Sequence, residues 1–417
     1  MRLMLLVILF LSGQLALQAQ GQVKTQAADE PPIINLATNI SSAFTSDFPL
    51  GSTQNLLPHL QCIFKNIKWD YRVQIMPWRR AYQDVKNNRI DGFFTAIPMR
   101  QIDPYAVLSA PMVLENWYWF WRMDTVAPES WREGYKLGSI LGSQQETWLD
   151  EAGYRVEMSA NNLPQLIKLL RSKRIDVILA DREHFLQAAQ ELKLDPNQFK
   201  SRFFRYVPLG VYFNEQFLNQ DPEFLASFNR QISGCASTRF AVTDYEQQLI
   251  KELLMRKIER WKHLPKLEEI LRAQNKKSRR ISQQEIAKRD KQWAQAFLQG
   301  DFAYPIKLVD QELSAQLREV KKQSQDMITE IIITDAYGLN MAVSDMTSDY
   351  WQGDEEKFSE VFGKPVGTLY FGDINYDEST KRFQLHLSVP LFSDEKFEPL
   401  GVMVFGIDVE KVLSQAQ

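Results

Sequence analysis

A short unit occurs twice in this chain and constrains its fold more than any other feature. Val85-Lys86-Asn87-Asn88-Arg89-Ile90-Asp91-Gly92-Phe93-Phe94 reads as a helix end, an Arg-Ile-Asp turn and a buried strand. Leu170-Arg171-Ser172-Lys173-Arg174-Ile175-Asp176-Val177-Ile178-Leu179 has the same layout. The second copy continues a helix with apolar residues at helical spacing, Leu163, Leu166, Ile167 and Leu170. A helix that feeds a buried strand belongs to a parallel α/β layer. Two copies imply two lobes of related fold with a cleft between them, where small ligands usually bind. The alternative is chance similarity of two short segments.

The surrounding sequence fits two lobes. Ile33-Ile34-Asn35-Leu36-Ala37 predicts a first buried strand, and a helix near Asn55 to Asn66 follows. Tyr71 to Ile75 predicts the next strand, and Pro77-Trp78 a helix start, where proline loses no useful hydrogen bond. The aromatic run Leu114-Glu115-Asn116-Trp117-Tyr118-Trp119-Phe120-Trp121-Arg122 is placed to cross into the second lobe. Tyr206 to Phe213 is placed to cross back, and a helix over Glu223 to Ile232 then returns to the first lobe. These readings put a bilobal α/β domain at about 30–240, with lobe one at 30–115 and 212–240 and lobe two at 122–206.

The first residues address the compartment. Met1-Arg2, the apolar run Leu3 to Phe10 and a short polar tail ending near Ala19 read as a signal peptide over 1–19. An uncleaved anchor is the alternative, but the run is shorter than the ~20 residues of a membrane span. The expectation is a periplasmic protein, free in solution after cleavage. Two cysteines, Cys62 and Cys235, in an exported chain suggest one disulfide; two separate buried thiols are the alternative. The returning helix brings Cys235 towards Cys62.

Beyond the lobes the character changes. Residues 241–284 are helical and basic, including Lys276-Lys277-Ser278-Arg279-Arg280, and read as a solvated linker or a docking surface for acidic lipid or a partner. Ser282-Gln283-Gln284-Glu285 has capping-box spacing and marks a new helix. Residues 285–417 begin with helices and turn to strands. Ile328 to Val343 predicts a hairpin turning at Tyr337-Gly338, Phe383 to Pro390 a half-buried strand, and Leu400 to Ile407 a closing strand, together an α+β domain.

Catalytic patterns are scarce. Of His59, His184, His263 and His386, no two have metal-ligand spacing, and no phosphate loop, nucleophile elbow or zinc-type cysteine pair is present. No metal, cofactor or enzymatic activity is expected. A formal net charge of −3 gives no reason to expect nucleic acid.

Residues 30–240 resemble the bacterial family 3 solute-binding proteins, which have the type II bilobal periplasmic-binding fold and bind amino acids and similar molecules. The resemblance rests on Arg89-Ile90-Asp91-Gly92, Arg100, Ser109-Ala110-Pro111, Leu141 to Thr147, and Ile175 to Asp181. It implies that Arg100 clamps a ligand carboxylate and that Asp181 accepts from its ammonium. It further implies that Thr95 and the turn Gly142-Ser143-Gln144 at a helix N-terminus complete the carboxylate site, and that Trp78, Phe44 and Phe48 form apolar walls. Phe93 and Gln144 depart from the small polar residue and threonine common at those places. Asp181 has a plainer alternative as a helix N-cap, Arg100 as a surface ion pair, and Trp78 as core.

The last region resembles a Cache-type sensor domain, on Thr334-Asp335-Ala336-Tyr337-Gly338-Leu339-Asn340, Thr347 to Glu355, Asp377-Glu378-Ser379 and Gly401 to Ile407. That resemblance implies a second pocket with Asp349, Tyr350 and Trp351, unless the aromatic pair fills its own core. Together the two resemblances imply a periplasmic small-ligand receptor that reports to an inner-membrane transporter or signalling protein. The alternatives are an adaptor with degenerate clefts and an enzyme on the same scaffold using Asp181 or His184.

Overall fold

The computed structural model describes residues 32–39, 56–236, 240–377, 382–395 and 397–416. The proposed signal segment 1–19, Phe44, Phe48, Glu378 and Ser379 lie outside the described residues.

Lobe one is built from β1 (Ile33–Thr38), α1 (Leu56–Ile67), β2 (Asp70–Ile75), α2 (Trp78–Lys86), β3 (Gly92–Ala96) and β4 (Ala106–Leu108). The strand β5 (Val113–Arg122) then enters lobe two, made of β6 (Leu137–Ile140), α3 (Gln144–Glu151), β7 (Val156–Ala160), α4 (Leu163–Arg171), β8 (Val177–Asp181) and α5 (Arg182–Glu191). The long strand β9 (Phe199–Asn214) returns, and α6 (Glu215–Gln220) and α7 (Phe224–Cys235) complete lobe one.

The two repeated units do the same job in each lobe. Asp91 and its backbone neighbour β1 exchange hydrogen bonds, Asp91 N to Asn35 O at 2.8 Å and Asn35 N to Asp91 Oδ2 at 2.7 Å. Asp176 does likewise with the residue before β6, its N to Lys136 O at 2.7 Å and Lys136 N to Asp176 Oδ2 at 2.9 Å. Ile90 and Ile175, just before each aspartate, are buried. The aspartate thus registers each new strand on its parallel neighbour, while the isoleucine pins the turn to the core.

The strands run β2-β1-β3-β9-β5-β8-β6-β7, with β4 on β9. Residues Phe199 to Leu209 of β9 pair antiparallel with β5, and Gly210 to Asn214 pair with β3 and β4. β5 and β9 are therefore the strands that join the lobes. Alternation along β5 divides its aromatic residues between two cores. Trp117, Trp119 and Trp121 face a core shared by both lobes, while Tyr118 and Phe120 face the core that continues towards the C-terminus. Cys62 on α1 and Cys235 on α7 form a disulfide, with Cα atoms 5.6 Å apart.

The segment after lobe one packs closely where a solvated linker was the plainer expectation. It forms α8 (Asp244–Trp261) and α9 (Leu267–Ser278). Ile250, Leu254, Ile258 and Trp261 form a helical stripe that is buried, and Trp261 packs against Phe405 at 5.7 Å. One apolar cluster runs from lobe two through both helices into the C-terminal sheet. Spacing of three and four residues explains this: the stripe requires a partner, whatever the surface charge. Lys276, Lys277, Arg279 and Arg280 are exposed, but Ser278 among them is buried and donates to Asp335 at 2.5 Å.

The C-terminal unit comprises α10 (Gln283–Gln299), α11 (Ala303–Leu308), α12 (Gln311–Gln323), β10 (Ile328–Asp335), β11 (Asn340–Val343), α13 (Glu356–Ser359), β12 (Tyr370–Phe371), β13 (Asn375–Asp377), β14 (Arg382–Phe392), β15 (Pro399–Asp408) and α14 (Val409–Gln415). Ser282 caps α10, accepting from Glu285 N at 3.2 Å. The antiparallel order is β11-β10-β15-β14-β12, with β13 also on β14. The β10–β11 hairpin turns at Gly338, whose φ is +76° and where a Cβ would lie 2.4 Å from Gly353 Cα. Among the described residues, no helix is long and apolar enough to cross a membrane.

Candidate functional site

The seam between the lobes is formed where the C-terminal end of β3 meets the N-terminus of α3. Thr95, near the end of β3, has a left-handed backbone with φ of +63°. Its hydroxyl turns back on its own strand, donating to Phe94 O at 2.5 Å, and the residue is buried. Across the seam Ser143 caps α3, accepting from Glu146 N at 3.1 Å. Gln144, the first helical residue, reaches from lobe two to lobe one. Its amide oxygen accepts from Ile97 N at 3.1 Å, and its amide nitrogen donates to Thr95 O. A side-chain amide paired with both backbone groups imitates a strand neighbour and ties the lobes together.

The turn expected to receive a ligand carboxylate holds one from the chain itself. Gly142 N donates to Glu146 Oε2 at 2.6 Å, and Ser159 Oγ donates to Glu146 Oε1 at 2.6 Å. An acid in the first turn is favoured by the helix dipole, so Glu146 is a natural occupant.

Arg100 and Asp181 are not brought to one cavity. Asp181 takes the cap position of α5, its Oδ1 accepting from His184 N at 3.0 Å and its Oδ2 from Asn116 N at 3.1 Å. Both oxygens are committed and the residue is 7% exposed, so its geometry is that of a cap. It lines neither of the seam cavities described below. Arg100 is exposed, with no hydrogen bond or ion pair to any described residue. Trp78 is buried at the start of α2, edge-on to Phe93 at 5.7 Å and stacked near Tyr82 at 6.0 Å.

Two cavities open along the seam. One, of about 870 Å³, is polar, with Trp78, Tyr82 and Tyr105 from lobe one and Glu146, Tyr154 and Arg155 from lobe two. The other, of about 950 Å³, holds Arg100 and lies beside the joining strands. It is lined by Ile97 to Arg100 of lobe one, Trp148 of lobe two, and Trp117 and Arg205 of β5 and β9. Both volumes lie in the range of small-molecule sites. Two carboxylates also line the second cavity, Asp103, which accepts from Tyr212 OH at 2.7 Å, and Glu151.

Sequence reasoning passed over two buried carboxylates, one on a joining strand and one packed against it. Glu115 on β5 accepts from Trp117 Nε1 at 2.7 Å. Burial, with the nearby Asp181 charge adding to it, pushes the Glu115 carboxyl up to about 7. Glu246 on α8 is fully buried and accepts from Asn116 Nδ2 at 3.0 Å and Tyr118 OH at 3.2 Å. The spacing Thr243-x-x-Glu246 is a capping box, so that signal was present. Nothing in the local sequence marks Arg205 as a cavity residue.

In the C-terminal unit, Tyr350 is buried against Trp293 at 5.4 Å, and Trp351 donates from Nε1 to Tyr337 O at 3.0 Å. Asp290 Oδ1 accepts from the main-chain N of both residues, at 2.8 and 3.0 Å. Asp349 Oδ1 accepts from Gln352 Nε2 at 2.9 Å. The three residues are engaged within their own domain, and Tyr350 and Trp351 pack with its apolar cluster.

No protein-family model matches the chain, and no curated protein matches it. Solved structures similar to it include a histidine kinase sensor domain with similarity to periplasmic binding proteins, at 14% identity, 49% of this chain, 89% of that one and a TM-score of 0.39. Another is the GluR0 ligand-binding core from Nostoc punctiforme in complex with L-glutamate, at 14% identity, 49% and 92% coverage and 0.39. A third is an ABC uptake transporter substrate-binding protein from Streptococcus pneumoniae with bound histidine, at 13% identity, 49% and 87% coverage and 0.39.

Proposed function

We propose that the two-lobed unit is a receptor for a small carboxylate-bearing ligand, an amino acid or close relative, taken up between its lobes. The observation that carries this reading is Arg100, a guanidinium standing in a cavity between lobes with no partner among the described residues. Such a group offers two parallel N–H donors to a carboxylate and loses little by leaving water to do so. Asp181 is not part of the proposal, because its oxygens already serve the backbone. On this reading the protein is exported to the periplasm, the C-terminal unit is a Cache-type sensor, and the output passes to a transporter or signalling protein of the inner membrane.

The test is thermal unfolding of the purified mature protein against the common amino acids and small carboxylates. A ligand well above its Kd raises stability by about 3 kcal/mol at a hundredfold excess. The reading requires that some ligand does so and that Arg100→Ala abolishes the gain. A specific observation favours a second reading, an adaptor with no ligand: Gln144 and Glu146 already fill the hydrogen-bonding places at the seam. A complete screen without stabilisation decides for the adaptor.

A further inference from the structure

The cavity that holds Arg100 has a third wall. Tyr376 on β13 and Phe383 on β14, both in the C-terminal unit, line it together with residues of the two lobes. The contact is continuous: Tyr376 packs on Phe383 at 5.0 Å, and Phe383 packs on Tyr206 of β9 at 5.8 Å. Trp117 and Trp148 stand in the same cavity, edge to face at 6.1 Å. Trp117 cannot turn to present its N–H, which is held by Glu115, so it offers the cavity mainly carbon surface.

Two guanidinium groups share this aromatic surround. Besides Arg100, the exposed Arg205 donates from Nε to Tyr206 O at 3.4 Å, and its charge also acts on the nearby Glu410 carboxylate. The carboxylates Asp103 and Glu151 line the same cavity, so its flat apolar walls with charges of both signs match a molecule that is flat and apolar over most of its body and carries a carboxylate, with or without an ammonium beside it.

We infer that this three-walled cavity is a site for aromatic carboxylates, aromatic amino acids included, with Tyr376 and Phe383 of the C-terminal unit forming part of the binding surface. The inference rests on the receptor reading and sharpens it. It makes the C-terminal unit a participant in binding, so that occupancy is felt directly by the domain that carries the output.

The experiment is calorimetric titration of the full mature protein with phenylacetate and phenylalanine, with propionate and alanine as their aliphatic counterparts, and with neutral phenylacetamide. The expected result is binding of at least one aromatic carboxylate, at least about tenfold tighter than its counterpart (about 1.4 kcal/mol). Arg100→Ala removes the preference for phenylacetate over phenylacetamide. Tyr376→Ala weakens the aromatic ligand about fivefold, and Tyr376→Phe restores it. Tyr376 is 41% exposed, so its truncation leaves the fold intact. If aliphatic ligands bind equally well with dependence on Arg100, or if Tyr376→Ala changes nothing, the inference is overturned and the receptor reading stands. If no carboxylate binds, both are overturned.

Discussion

The carboxylate of Glu410, on the last helix, accepts a hydrogen bond from the main-chain N of Tyr206 at 2.7 Å, across 204 residues of chain. Tyr206 lies on β9 just past a register shift, where Trp117 pairs with Arg205 but Tyr118 pairs with Phe203. The shift leaves Phe204 outside the ladder, a bulge at the point where the strand passes from one lobe to the other. Glu246 does the corresponding work on β5 through Asn116 and Tyr118. Each of the two strands joining the lobes is thus held by a carboxylate that lies beyond residue 240. A change in lobe angle therefore has to move, or break from, the rest of the molecule.

Glu410→Ala leaves the Tyr206 N–H buried without an acceptor. The expected loss is about 1–3 kcal/mol, the cost of an unsatisfied buried donor. Glu410→Gln retains an amide oxygen and loses less. Denaturant midpoints of the three proteins read the difference directly, and an alanine variant that unfolds with the parent shows the bond to be energetically idle.

The Gln144 bridge makes a prediction about shape. Two hydrogen bonds of ordinary strength contribute about 1–3 kcal/mol to this arrangement of the lobes, a bias of about 5- to 150-fold. Gln144→Ala removes both while leaving Ser143 to cap α3. Small-angle scattering is expected to show a larger radius of gyration for the variant in the absence of ligand. Identical scattering curves mean that the shared core of Trp78, Phe93, Trp117 and Leu179 sets the closure without help from the amide.

The lobes were legible in the sequence because their signal is local. Arg-Ile-Asp before a run of apolar residues fixes a turn and a strand, and the hydrogen bonds of Asp91 and Asp176 show what the pattern encodes. The Cys62–Cys235 disulfide agrees with the expectation from an even cysteine count in an exported chain and from a second crossing that returns α7 towards α1. The site was less legible. Whether Asp181 faces a ligand or caps α5 depends on a rotamer and on Asn116 in a distant strand. Arg205 and Tyr376 meet in one cavity only through tertiary packing, and no spacing in the chain records that. The packing of α8 was written in the stripe Ile250, Leu254, Ile258 and Trp261, but the dense surface charge nearby obscured it.

The disulfide joins residues 173 apart in sequence and so removes much of the freedom of the unfolded chain. The chain-entropy estimate for a loop of that size is about 5 kcal/mol. Replacing both cysteines by alanine is expected to lower stability by up to that amount, with lobe one the first part to lose hydrogen-exchange protection around α1 and α7. Unchanged protection there means that the apolar contacts of Leu60, Ile63, Phe228 and Ile232 already hold the two helices together.

The last prediction concerns pH and follows from Glu115. Its carboxyl moves from an ordinary value near 4.5 up to about 7, first because burial penalises the charge and then because Asp181 lies nearby; His184 and the Trp117 N–H oppose this. In the unfolded chain the same carboxyl ionises at its ordinary value. Between the two, the folded protein binds more protons than the unfolded one, so stability falls as pH rises through this window. Below about pH 4.5 both states are protonated and the group contributes no slope; above about pH 7 both are ionised and the penalty is complete. Glu115→Gln keeps an oxygen for Trp117 Nε1 and cannot ionise. Burial also raises the carboxyls of Glu183, Asp335 and Glu410, so the informative quantity is the difference between the two proteins. That difference is expected to be small at low pH and to grow in favour of Glu115→Gln from about pH 4.5 to 7. A difference that stays constant across the range shows that Glu115 is as well solvated when folded as when unfolded.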